Sequence, residues 1–140
     1  RNASGTARCL RGAGALKLLL DTHVAVWWLI SPAEIRPAAL KAIADPANDV
    51  YVSAASLWEM RIKQEAGKLS LPGEPLLALE SNGFLAWPIS GRHGWHAGAL
   101  PPIHIDPFDR MLVAQAKVED LSLLTRDRHL ENYGEVVLCV

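Results

Sequence analysis

Cysteine is almost absent from this 140-residue chain: Cys9 and Cys139 stand near opposite ends. Two isolated thiols without paired spacing cannot build a zinc cluster by themselves, and they favour a reduced, cytoplasmic setting. Long hydrophobic runs are missing too, although half of the residues are hydrophobic. Charged or turn residues interrupt each apolar stretch before the roughly 18 to 20 residues that a membrane helix needs, so no membrane span is expected. Nor does charge of one sign dominate: 14 basic residues face 15 acidic ones, a net of −1. That balance excludes a protein that coats nucleic acid through a uniformly basic face. With 21% charged residues, a large aliphatic supply and no low-complexity stretch, the chain reads as one globular domain with a single core.

The opening segment RNASGTARCLRGAGA is rich in small residues and arginine and carries no apolar centre of a secretory signal. Residues 1–15 are expected to form a tail outside the domain, and residues 16–140 the domain itself. Three arginines in that segment mask the balance of the remainder. Residues 17–140 hold 11 basic and 15 acidic side chains, a net of −4.

Strand-like and helix-like segments alternate. The run LKLLL (16–20) is too short for a helix and stops at Asp21-Thr22, a helix-start pair. HVAVWWLI follows, and after Ser31-Pro32 the segment PAEIRPAALKAIADP reads as a second, amphipathic helix. VYVS (50–53) is a compact strand leading into the helical ASLWEMRIKQEAGK, with Gly67 as its stop. EPLLALESNG is helical by composition, FLAWPI is a short strand, and Ser90 to Leu100 is a weaker helical stretch. HIDPFDRMLVAQAKVED gives the clearest helix, LSLLT (121–125) a strand and VVLCV an edge strand. Such alternation predicts an α/β fold with a mostly parallel central sheet covered by helices on both faces.

Acids recur where strands hand over to helices. Asp21 follows LLL, Glu59 lies in the helix after VYVS, Asp109 falls in the first turn of PFDRMLVAQAK, and Asp127 follows LLT-Arg126. In open α/β sheets ligands collect outside the carboxyl ends of strands, so acids distant in sequence can meet in one crevice. Clustered carboxylates repel one another, and a hard divalent cation such as Mg²⁺ or Mn²⁺ relieves this while activating water and stabilising charge on a phosphoryl group. Each acid also has a structural reading. Asp21 can cap a helix, Glu59 can close a capping box with Ser56, and Asp127 can serve a turn. Asp106-Pro107-Phe108-Asp109 is a good helix start, with Asp106 as the cap.

The segments LLLDTH, VSAASLWEM with GKLSLP, HIDPFDRMLVAQA and LLTRD, in this order, resemble a PIN-domain protein, most of all the ribonuclease toxins of the bacterial VapC type. The resemblance runs from about Leu16 to the C-terminus. It implies a three-layer α/β/α PIN-like fold and an Mg²⁺- or Mn²⁺-dependent endoribonuclease. Its four catalytic and metal-binding acids fall on Asp21, Glu59, Asp109 and Asp127, with Asp109 rather than Asp106 as the third. RNA as substrate, products ending in 3′-hydroxyl and 5′-phosphate, a VapB-type antitoxin as inhibitor and a homodimer also follow from it.

Thr22 and Thr125, beside two of these acids, can position water or phosphate, or simply serve local turns. Arg61, Lys63, Lys68, Arg110, Arg126 and Arg128 are the basic side chains near the motifs, with Arg110 and Arg126 the ones assigned to substrate. Arg110 can alternatively pair with an acid such as Asp106. Trp27, Trp28 and Trp58 fall on helices, where core packing or a dimer face is the expected use. His23 and His104 are the histidines nearest the acids. Two other classes stay open on the residues alone: a receiver-like phosphoacceptor domain and a non-catalytic PIN-like binding module. DNA cleavage is open within the same chemistry.

Overall fold

The structure, a computed structural model, describes residues 15–140. The expected tail over residues 1–15 therefore lies outside the described residues except for Ala15.

Five short strands form the sheet: β1 (Lys17–Leu20), β2 (Asp49–Ser53), β3 (Leu85–Trp87), β4 (Ser122–Thr125) and β5 (Val137–Cys139). Their order is β3-β2-β1-β4-β5, and every neighbouring pair is parallel. The expected mostly parallel sheet is thus parallel throughout. β1 lies at its centre, where both faces are covered, and this is why three consecutive leucines follow Lys17 rather than an alternation. Leu18, Leu19 and Leu20 are all fully buried.

Successive side chains nevertheless go to opposite faces. Leu18, Leu20, Val50, Val52, Leu124 and Leu138 join one core cluster, whereas Leu19, Leu123 and Val137 join the other. The first face is covered by α1 (Thr22–Ile30), α2 (Pro37–Ala44), α3 (Ala54–Glu65) and α4 (Pro75–Ser81), through residues such as Val24, Ile43, Met60 and Leu79. The second is covered by α6 (Pro107–Glu119), through Leu112, Val113 and Ala116. The helix α5 (Gly91–Ala99) packs along α6.

One sequence expectation needs correction. The stretch 32–46 is not a single helix but a 3-10 turn (Pro32–Glu34) followed by α2. Pro37 is the reason: it cannot donate to a preceding turn and forces Arg36 into extended backbone (φ −61°, ψ 146°), so the helix can only begin at the proline. Among the described residues no helix is long and apolar enough to cross a membrane.

Candidate active site

From β1 the chain moves outward to β2 and β3, then returns past β1 to β4 and β5. The connections therefore diverge at the carboxyl ends of β1 and β4, which leaves a crevice there. Asp21 follows the last residue of β1, and Asp127 lies two residues beyond the end of β4. Glu59 comes from α3, after β2, and Asp109 from the first turn of α6. All four acids line one open cavity of about 370 Å³, together with Thr22, Lys63, Asp106 and Arg126. A larger cavity of about 460 Å³, between α3 and the start of α4 at Leu57, Arg61 and Glu74, holds none of the four. Chemistry, not volume, marks the smaller one.

Asp21 is buried and does two things at once. Its Oδ1 caps α1 by accepting from Val24 N at 2.8 Å, and its Oδ2 accepts the Thr125 hydroxyl proton. Thr125 Oγ1 also accepts the Asp127 backbone N–H at 3.0 Å, so one buried hydroxyl ties the exits of β1 and β4 together. Burial pushes the Asp21 carboxyl up from its ordinary pKa. The Thr125 and Val24 bonds pull it down, and the Glu59 charge adds to the rise.

Glu59 is held by two elements. Thr22 Oγ1 lies 2.7 Å from Glu59 Oε1 and 3.0 Å from Ser56 Oγ. A threonine hydroxyl has one proton and an ionised carboxylate has none to give, so Thr22 donates to Glu59 and the Ser56 hydroxyl supplies the proton of the other contact. Lys63, one turn along α3, pairs with Glu59 Oε2 at 2.9 Å. The capping-box reading of Ser56 and Glu59 is therefore corrected. Ser53 caps α3, its Oγ accepting from Ala55 N at 3.0 Å, which leaves Ser56 and Glu59 inside the helix and facing α1.

Asp106 is the cap of α6, accepting from Phe108 N at 2.8 Å and Asp109 N at 3.3 Å, with Pro107 in the first turn. Asp109 is thereby free of capping duty. Its Oδ2 lies 2.9 Å from His104 Nε2. Burial lifts the Asp109 pKa from 3.8 to about 6. The His104 bond opposes the rise, and the charges of Asp106 and Asp21 reinforce it. Asp127 Oδ1 caps the 3-10 turn Arg128–Tyr133 through His129 N at 2.9 Å, and its Oδ2 lies 3.5 Å from the same His104 nitrogen.

The donor set fits a hard divalent cation. It consists of carboxylate oxygens from separate segments, and Asp21 and Asp109 are pushed upward by burial and by the charge of neighbouring carboxylates. Among the described residues no cationic side chain lies within ion-pair distance of Asp21. Oxygen ligands of this kind, with water completing the shell, suit Mg²⁺ or Mn²⁺.

Thr22 and Thr125, expected near the site, each hold one of the acids. Arg126 stands at the rim: its Nη1 donates to Glu34 O at 2.9 Å, and its guanidinium lies 5.1 Å from the centre of the Trp27 ring. Arg110 does not face the crevice. Its guanidinium donates to Ala97 O, Leu100 O, Pro101 O, His104 O and Tyr133 Oη at 2.9 to 3.3 Å, so it fastens the segment that carries His104. No pairing with Asp106 is formed. Trp28 packs on Phe84, as a core residue should, but Trp58 is 62% exposed and meets the Phe108 ring edge-on, which corrects the core reading for that residue.

Three contributors escaped the sequence reading. Ser56 reads in the sequence as part of a cap, and Lys63 as one of six basic side chains near the motifs, although its i,i+4 spacing from Glu59 signals a pair. Tyr133 Oη accepts from His104 N at 2.9 Å and donates to Pro101 O at 3.0 Å, a contact across 29 residues that no local pattern announces.

Residues 18–136 match the PIN domain family. The chain is 33% identical over 119 residues to Ribonuclease VapC22 of Mycobacterium tuberculosis, covering 83% of this chain and 91% of that protein. Among solved structures it resembles VapBC2 from Rickettsia felis bound to a DNA fragment from their promoter, with a TM-score of 0.65 at 16% identity over 89% of this chain and 98% of that one. A toxin-antitoxin complex from Klebsiella pneumoniae gives a TM-score of 0.59 at 21% identity, over 86% and 94% of the two chains. These structural likenesses bear on the fold; the family match and the sequence relative bear on kinship. The chain belongs to the PIN domain family and is of the VapC type.

Proposed function

We propose that this protein is a metal-dependent endoribonuclease, the toxin of a type II toxin-antitoxin pair, which hydrolyses RNA phosphodiester bonds at Asp21, Glu59, Asp109 and Asp127. The observation that carries this reading is the meeting of those four acids, from four separate segments, in one cavity at the divergence point of a parallel sheet. Asp21, Glu59 and Asp109 would hold one Mg²⁺ or Mn²⁺, and Asp127 would serve a second position. When bound, such an ion neutralises the carboxylates, activates water and stabilises charge on the phosphoryl group.

The chain's own residues keep these donors in place. Thr125 fixes the Oδ2 of Asp21, and Thr22 and Lys63 hold the two oxygens of Glu59. Arg126, spread over Trp27 at the rim, offers a cation to the RNA backbone. Arg110 acts one step back, as a positioning residue for the His104 segment. Residues 16–140 form the catalytic domain in this reading, and residues 1–15 stand outside it. The relative's name as a ribonuclease and the toxin-antitoxin complexes among the structural neighbours support a toxin neutralised by a VapB-type antitoxin; a homodimer in the cytoplasm completes the proposal.

Incubation of the purified protein with an RNA and with DNA of the same sequence tests this. RNA should be cut in Mg²⁺ and left whole in EDTA. Intact RNA in both Mg²⁺ and Mn²⁺, across substrates rich in different loops, would remove the nuclease reading.

A further inference from the structure

His104 is not accounted for by four carboxylates. It sits between two of them, with its Nε2 2.9 Å from Asp109 Oδ2 and 3.5 Å from Asp127 Oδ2. One donor atom from each of the three lies within 4.8 Å of the others. Around a zinc-like ion with bonds of about 2.1 Å to nitrogen and oxygen, neighbouring donors stand about 3.0 Å apart at right angles and about 3.4 Å apart at the tetrahedral angle. Both separations from the imidazole fall at those spacings, the shorter one being also the hydrogen bond between His104 and Asp109.

The three donors are also held before any ion arrives. The backbone of His104 is pinned on both sides, its N–H given to Tyr133 Oη at 2.9 Å and its carbonyl accepting from Arg110 Nη1 at 3.2 Å. Asp109 is fixed by the first turn of α6, and Asp127 by its cap on His129 N. Supporting contacts of this sort orient ligands and raise affinity. Side-chain exposures of 24%, 23% and 34% for His104, Asp109 and Asp127 leave the cluster open to solvent.

We infer that His104, Asp109 and Asp127 form a cation position with nitrogen in its donor set, which takes a borderline transition ion such as Zn²⁺ in preference to Mg²⁺. This deepens the reading of the acids as metal ligands and rests on it. Imidazole suits Zn²⁺ and its neighbours, whereas Mg²⁺ keeps to oxygens and waters. The site would then hold two chemically unlike positions: an all-oxygen one at Asp21 and Glu59, and a mixed one at His104 and Asp127, with Asp109 between them.

The test is binding of the metal alone to the full chain, followed by calorimetry and by long-range ¹H–¹⁵N spectra of the histidine rings. Stoichiometric Zn²⁺ should move the Nε2 resonance of His104, recognised by its loss in His104→Ala, to the position of a metal-bound ring nitrogen, and millimolar Mg²⁺, which reaches that ring only through Asp109, should produce at most a small shift. His104→Ala should weaken Zn²⁺ binding at least about tenfold, the least expected when a ligand rather than its support is lost, and change Mg²⁺ binding less than about twofold. Asp127→Asn, which keeps the imidazole, should weaken Zn²⁺ in the same direction; circular dichroism shows whether either variant has kept its fold. Zn²⁺ affinity unchanged in both variants, or a Zn²⁺-saturated chain with an unmoved His104 ring, would overturn the inference. If Zn²⁺ binds through His104 while RNA survives in Mg²⁺, the nuclease reading fails and this one stands.

Discussion

Asp109 illustrates what a buried acid does to the molecule that carries it. Burial lifts its pKa from 3.8 to about 6, so the folded chain holds this proton more tightly than the unfolded chain does. The resulting stabilisation is present in full below about pH 4 and is lost as pH rises through 6. An ion-free protein at pH 7 therefore bears the cost of a charged carboxylate that only a cation relieves. Asp109→Asn should gain stability relative to the parent at pH 7 in EDTA and not at pH 4, measured by urea denaturation at the two pH values. Equal differences at both would contradict the assignment. Thr125 makes the complementary case. Thr125→Val keeps the shape but strips a donor from a buried carboxylate, and should cost about 1 to 3 kcal/mol in the same denaturation experiment. Asp21, Asp109 and Asp127 could be read from the sequence because they lie just past a strand or in the first turn of a helix, whereas Glu59 sits further along, inside α3. His104 could be read only as a histidine near the acids, because its partners are chosen by the path of a loop.

Elements were legible wherever local chemistry and tertiary demand agree. The aliphatic runs of β1, β2 and β4 need burial on both faces, and the start of α6 carries its cap and proline in four consecutive residues. α5 was a weaker signal because GRHGWHAGA holds three glycines, residues that disfavour helix. What sustains it is a reciprocal cap: Ser90 Oγ accepts from His93 N at 3.2 Å, while His93 Nδ1 accepts from Ser90 N at 2.9 Å. The buried imidazole then reaches Glu119 at 2.7 Å from its other nitrogen, which fastens α5 to the end of α6. Arg110 fastens the far end. Arg110→Ala should cost about 1.5 to 3 kcal/mol, the range for hydrogen bonds from a charged donor, here to mostly half-buried acceptors, and should speed amide exchange over residues 97–105. Arg110→Lys should restore little, since one ammonium cannot span acceptors that a guanidinium fork reaches. Rescue by lysine would mean that charge, not geometry, is what this position supplies.

Across the whole molecule, the charge balance takes on a different meaning once the acids have places. A net of −4 over residues 17–140 looks unfavourable for handling RNA. Five of the acids, the four proposed ligands and Asp106, are however gathered in one cavity whose proposed occupant is positive, and Arg126 stands at its rim. Divalent ions there would offset the most repulsive part of the surface, so the protein needs no basic face. The fold explains why this arrangement was only partly legible. Strand order can be inferred from alternation no further than "parallel", whereas the convergence of Asp21 with Asp127 depends on β4 lying next to β1, which is a property of the whole sheet. The most direct test is the cleavage rate of a single RNA by the parent protein and by folded Asp21→Asn and Asp109→Asn variants, in Mg²⁺ and in EDTA. Cleavage should require Mg²⁺ and fall by roughly 100-fold or more in each variant, the loss expected when several kcal/mol of charge stabilisation is removed. Unimpaired cleavage by both variants, or cleavage that persists in EDTA, would contradict the carboxylate site.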